Sequence, residues 1–483
     1  MAPTPLKSKR PLPAATTRVI KALSLFSGVQ AVGIIVSIVR TKLVALWIGT
    51  TGVGLLSLYS LAMQLIATAT QFNINQSAVR DISRSQTDDA RTTAVAMIRR
   101  IAIVLGIGGA LLTMALSPLL SIIVFGDTTH TIPFLILASL LPLMAVTAAE
   151  NAIMQGYQRL SALARSTLLG AIAGTAIAIP LYYFFRINAI VPVLVIFAAA
   201  NCIFVLIYGV RTPRKSQIST AEAFRRGKPM LKLGTYLTTS TLAGLGATYI
   251  FMVFLNRYCG QSTVGLFNAG STLLNSYVGI IFTAIAMEFY PRLAKAASSR
   301  LRTATIVSHE ASMALAVVAP VIVVVICCGD LIMDILYSSG FSPAKPFVAI
   351  GIIAMALRAP AWCMAYTMIA KGDGRTYMLT ECASAIAYLV FNTILFGAFG
   401  FRGLGVAYFL WYAVYTAIVY TVYTRRYRMR LAPAIPMQMA VTMAIALATL
   451  LLDHYIGGWL SLALMLPLSL LLPIIKFKNR RSN

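Results

Sequence analysis

Two cations interrupt the first long apolar run of this chain. From Ala22 to Ile48 the charged side chains are Arg40 and Lys42, and no turn residue appears before Gly49-Thr50-Thr51-Gly52. One helix is therefore predicted to pass both, with Arg40 roughly 13 Å inside its outer end at 1.5 Å per residue. An ionised group at that depth faces a bundle interior or a watery cavity, or else snorkels its head to the interface. Arg358 lies near the middle of a later apolar run and is followed by Ala359-Pro360. The proline predicts a kink with freed carbonyls. The chemistry open to these cations is binding of an anionic substrate in a cavity; the alternative for Arg358 is a buried pair with Glu381 or Glu150. Arg257 reads as an interfacial anchor.

Glu150, Glu288 and Glu381 lie toward the inner ends of their apolar runs. Such carboxyls can neutralise cavity arginines or carry a coupling proton, because burial raises a carboxyl pKa. They can equally partner basic residues at the inner rim. Uncharged polar groups recur as well. Asn73, Asn75 and Gln76 form an amide cluster with Gln71, Asn151 and Gln155 share one run, and Asn268, Ser271 and Asn275 are spaced to share one helical face. Facing a cleft, they suit sugar hydroxyls; packed between helices, they are interhelical hydrogen bonds worth about 1–2 kcal/mol at most.

The elements that must position these groups are membrane helices. Of the 483 residues, 59% are hydrophobic and 11% charged, so the polar residues cannot cover a soluble surface. Apolar segments long enough to span a bilayer run over 22–48, 53–78, 97–125, 133–156, 164–185, 189–210, 233–256, 264–289, 307–328, 346–370, 376–399, 404–424, 436–453 and 458–475. The predicted fold is an all-α polytopic membrane protein of about fourteen helices.

The formal net charge of +27 would suggest nucleic acid in a soluble chain, but its distribution argues otherwise. Of the 40 lysines and arginines, 33 fall in the termini and alternate loops on one side. That asymmetry predicts a multi-pass membrane protein with both termini cytoplasmic, and it removes the case for nucleic acid. Residues 1–21 read as a cytoplasmic arm, 211–232 as a cytoplasmic linker and 476–483 as a basic tail. No metal-ligand spacing, P-loop or nucleophile elbow is present. The outer loops are too short for an inserted catalytic domain, so the chain reads as no enzyme.

An internal repeat divides the chain. Gly49-Thr-Thr-Gly-Val-Gly-Leu55 matches Gly260-Gln-Ser-Thr-Val-Gly-Leu266, and Gly156-Tyr-Gln-Arg159 matches Gly372-Asp-Gly-Arg375. The expected lobes are 22–210 and 233–424, each of six helices, with a helix pair at 436–475 outside the repeat. An even helix number makes these parallel repeats flanking a central cleft.

These patches, with MQGYQRLSALARSTLLG (154–170), TVGLFNAGSTLLNSYVGIIFTAIAMEFYPRLAKAA (263–297) and IAKGDGRTYMLTECASAIAYLVFNTILFGAFGFRGLGVAY (369–408), resemble the Wzx-type polysaccharide flippases. Their superfamily also holds the multidrug and toxin extruders (MATE) and the lipid II flippase. The resemblance implies a V-shaped, two-lobed fold with alternating access. It implies transfer of an undecaprenyl-diphosphate-linked oligosaccharide repeat unit across the inner membrane for O-antigen, capsule or exopolysaccharide synthesis, with the polysaccharide polymerase machinery as a partner. Arg40 falls where the lipid II flippase has a cavity arginine, so Arg40, Lys42 and Arg358 become candidates for the diphosphate. Ser271 and Thr272 stand where the lipid II flippase has an arginine, which favours a Wzx substrate. No cofactor is implied; the membrane potential, H+ or Na+ are the open coupling routes. The rival readings are a cation-coupled multidrug exporter, with Glu150 as its acid, and a lipid II flippase.

Overall fold

The computed structural model describes residues 14–72, 78–79, 82, 87–210 and 219–481. Backbone groups in a bilayer core have no water to bond, so each apolar run closes its hydrogen bonds internally as a helix. Among the described residues fourteen long helices result. The first continuous stretch, Ala14–Gln71, breaks at Gly49, whose φ of 64° an L side chain rarely adopts. It therefore holds α1 (14–48) and α2 (50–71). Then come α3 (Asp88–Phe125), α4 (Thr131–Gly156, with a break at 138–139), α5 (Leu160–Phe185), α6 (Ile190–Tyr208), α7 (Thr220–Cys259) and α8 (261–296). The second half continues with α9 (Arg300–Cys327), α10 (345–370), and α11 (374–399) with α12 (401–426), which part at Gly400. The chain ends with α13 (Ala434–Ile456) and α14 (Gly458–Arg481). It is a multi-pass membrane protein. We call the side on which α1 begins proximal and the opposite side distal.

Several helices outrun their apolar segments at the proximal end. Thr87 caps α3 by accepting from the Ala90 N–H, Ser219 caps α7 from Glu222, and Ser299 caps α9 from Arg302. These side chains satisfy N–H groups that a helix start leaves open. The α7 helix thus begins inside the 211–232 stretch, and α1 begins within residues 1–21.

The first repeat match is visible in the backbone: Gly260 (φ 83°) stands where Gly49 stands in the other half. The second match is looser, since the left-handed residue is Gln158 in one half and Gly372 in the other. Helices α13 and α14 pack on α9. In α10 and the segment preceding it, 83% of the most apolar window is buried, against 28–50% for most other spans. A charge on α10 is therefore interior to the second lobe.

Candidate functional site

Between the lobes lies a cavity of ≈ 390 Å³. Its walls come from α1, α2, α5 and α6 on one side and α7 and α8 on the other. Arg40 reaches it, with its guanidinium carbon 4.6 Å from the centre of the Phe197 ring. Among the described residues no carboxylate pairs with Arg40. A cation over an aromatic face retains its charge for a ligand.

Lys42 does not accompany Arg40. Two residues along a helix rotate a side chain by about 200°, and the Lys42 ammonium donates to the backbone carbonyl of Asp334 in the short helix after α9. It is a contact between α1 and the distal end of the second lobe.

Arg358 lines none of these cavities. Its Nη1 donates to the Leu274 carbonyl and to Asn275 Oδ1, both at 3.4 Å. Phe282 and Tyr412 sit against the guanidinium at 5.0 and 5.7 Å. Leu274 and Asn275 belong to a π-helical turn, Leu273–Tyr277, in α8. The alternative, a pair with Glu381 or Glu150, is not formed. The deviation from α-helix that Arg358 engages lies in α8, not in the carbonyls around Pro360.

The main polar stripe of the cleft lies on α2, and apart from Gln71 its residues are not among the candidates above. Ser57, Ser60 and Gln64 of α2 line the central cavity, and Gln64, Thr68 and Gln71 line a cavity of ≈ 230 Å³ that adjoins it toward the proximal end. Intervals of three and four residues put them on one helical face. That periodicity was present in the sequence and was the signal to use. Across from it, Thr241 and Thr248 of α7 contribute to the same walls. Asn268 and Ser271 of α8 line the central cavity.

A further cavity of ≈ 440 Å³ opens into the second lobe between α7, α8, α11 and α12, sharing Thr248 and Ser271 with the central one. Asn275 and Glu381 line it. Asn275 Nδ2 donates to the Tyr408 hydroxyl at 3.0 Å, and Glu381 Oε1 accepts from the Tyr415 hydroxyl at 2.8 Å.

The remaining candidates fall elsewhere. Glu150 is buried and pairs with Arg99, whose Nη2 also donates to the Val210 carbonyl at 2.7 Å. This group ties α3 and α4 to the end of α6 and borders a separate cavity of ≈ 530 Å³. Glu288 is exposed beside Arg292, 3.7 Å away. Asn151 Oδ1 is buried without a hydrogen-bond partner among the described residues, and Gln155 is exposed; neither borders the cavities above. Asn73, Asn75 and Gln76 lie outside the described residues.

The lobes meet at the distal end. Thr50 Oγ1 and Ser262 Oγ are 2.7 Å apart. Asn256 and Arg257, in the last turn of α7, donate to the Val124 and Ile122 carbonyls at the end of α3, at 2.8 and 3.3 Å. Arg257 is thus a tie between lobes. By contrast, Arg99–Glu150, Arg292–Glu310 and Arg426–Asp373 at the proximal end each lie within one lobe.

This architecture has known counterparts. The family described as "Polysaccharide biosynthesis protein" matches residues 84–346. A lipid III flippase of Escherichia coli (strain K12) is 24% identical over 288 residues, which are 57% of this chain and 67% of the relative. A putative O-antigen transporter of Shigella flexneri is 21% identical over 406 residues, 82% of this chain and 95% of the relative. A solved structure of lipid II flippase in an inward closed conformation has a TM-score of 0.68 at 11% identity, covering 94% of this chain and 99% of that one. With a family match over more than half its length, the chain belongs to the polysaccharide biosynthesis protein family.

Proposed function

We propose that this protein moves an undecaprenyl-diphosphate-linked oligosaccharide repeat unit from the cytoplasmic to the outer leaflet of the bacterial inner membrane. The two lobes alternate access to the cavity between them. The proximal face is cytoplasmic in this reading, in keeping with its excess of lysine and arginine. The distal ties close the outer side, and the stripe from Ser57 to Gln71 leads from the inner side toward Arg40.

The observation that carries the reading is Arg40: a cation on the cavity wall, held against Phe197, with no carboxylate paired to it among the described residues. An intramembrane charge of this kind marks a substrate path. In this mechanism the guanidinium holds a phosphate oxygen of the diphosphate by charge-assisted hydrogen bonds. The lipid tail stays in the bilayer. With the cell interior negative, each net negative charge carried outward is favoured by about 2.3 kcal/mol per 100 mV, so the potential assists if the loaded protein moves net charge. The product goes to the polymerase machinery. A drug exporter using Glu150 as its acid fits less well, because Arg99 neutralises that carboxylate.

The test replaces Arg40 by Ala in cells that make the surface polysaccharide, at matched protein levels. The expected outcome is loss of surface polysaccharide and build-up of lipid-linked repeat units on the cytoplasmic side. Normal export would remove Arg40 from the substrate path.

A further inference from the structure

The cavity in the second lobe differs in chemistry from the one at Arg40. No lysine or arginine lines it, and its formal charge is the carboxylate of Glu381. Its walls carry four large rings, Tyr377, Tyr388, Tyr408 and Trp411. Trp411 meets Tyr388 and Tyr408 edge-on, with centroids 4.8 and 5.4 Å away. Between the rings are small hydroxyls and one amide, Asn275. Aromatic walls with a few placed polar groups describe a small-molecule pocket, and ≈ 440 Å³ falls within the usual range of about 300–1,000 Å³.

A phosphate has no cation to bind there and would meet a carboxylate. A pyranose ring has apolar C–H faces to lie on aromatic rings and an edge of hydroxyls to donate to Glu381. We propose that this cavity is a saccharide subsite that receives a neutral or amino sugar of the cargo while Arg40 holds the diphosphate in the central cavity. The inference rests on the flippase reading above and adds a second compartment to it. Thr248 and Ser271 line both cavities, so the two compartments adjoin.

The polar groups of the subsite are fixed by neighbours. Trp411 Nε1 donates to Ser384 Oγ at 2.8 Å, which sets the indole plane. Arg358 donates to Asn275 Oδ1, which leaves the amide nitrogen to donate to Tyr408. Arg358 is thus a positioning residue for the saccharide subsite. The Glu381 carboxylate, held through one oxygen by Tyr415, offers its other oxygen to a ligand and disfavours uronic acids.

The experiment compares two probes on the purified full-length protein in detergent. One is lipid-linked repeat units extracted from producing cells, the other undecaprenyl diphosphate without sugar. Glu381→Gln and Trp411→Phe are each expected to bind the repeat units about tenfold more weakly, the loss of one good polar or packing contact, and to bind bare undecaprenyl diphosphate as wild type does. Arg40→Ala weakens both probes. Unchanged binding of the repeat units by both subsite variants overturns the subsite, as does equal weakening of the two probes. Wild-type protein that binds neither probe overturns the flippase reading itself.

Discussion

Gly54 and Gly265 hold matching positions in the two halves and lie against each other across the distal seam. A Cβ on Gly54 would collide with the carbonyl oxygen of Gln261, and a Cβ on Gly265 with that of Thr50. The contact is reciprocal, as a two-fold relation between parallel repeats requires. Glycine is needed on both sides because backbone meets backbone there.

A side chain at either position should force the seam apart. Overpacking costs about 1–3 kcal/mol, enough to shift a two-state balance about fivefold or more. With Thr50→Cys and Ser262→Cys as reporters, the otherwise native seam should form a disulfide under mild oxidation. Adding Gly54→Val or Gly265→Val should reduce the cross-linked fraction and slow transport, with the protein still folded. Undiminished cross-linking would show that the seam absorbs the change.

Lys42 and Arg40 should separate in a transport assay although they are two residues apart. Lys42 bonds the Asp334 carbonyl rather than the cavity. Lys42→Ala should therefore leave export within about twofold of wild type, the size of a peripheral contact. A loss as deep as that of Arg40→Ala would place Lys42 on the substrate path.

Removing the Arg358 head group should leave the Leu274 carbonyl and Asn275 Oδ1 without this donor. Unsatisfied buried groups cost about 1–3 kcal/mol each. Arg358→Met should lower the melting temperature of the purified protein, and Arg358→Lys should recover only part of the loss, since an ammonium lacks the planar fork. Equal stability of the Met variant and wild type would dismiss the role.

Asp373 should give a pH signature at the proximal rim. Burial raises its pKa, but hydrogen bonds from Tyr427, Thr376 and Arg426 outweigh that and hold it below the ordinary 3.8. A carboxylate depressed on folding stabilises above its unfolded pKa, and the contribution is lost as pH falls through the folded value. Wild type should therefore be more stable than Asp373→Asn by a constant margin from pH 8 to about pH 5. The two should converge below about pH 4. A margin that persists in acid would mean that charge is not its source.

Much of this architecture was legible in the residues. The fourteen apolar runs are long and uniform, and Gly49 was the first credible turn because the break needs a left-handed residue. Helix starts were less legible, because α3, α7 and α9 continue past the bilayer into charged stretches where hydropathy gives no signal. The cavity position of Arg40 was foreseeable from its depth. The partners of Arg358 and Glu150 were not, because they depend on which helices adjoin α10 and α4. The stripe from Ser57 to Gln71 was readable by its spacing, yet serines and threonines in a membrane helix are common enough to pass unremarked.

The distal ties between α7 and α3 also bear on how sequence change is tolerated. Asn256 and Arg257 supply side chains, but Val124 and Ile122 answer with main-chain carbonyls. An acceptor of that kind is the same for every amino acid. Substitutions along the last turn of α3 can accumulate without erasing the bond, provided the helix ends where it does. At these two ties the vulnerability is one-sided: they are written in the side chains of α7 and in the bare backbone of α3.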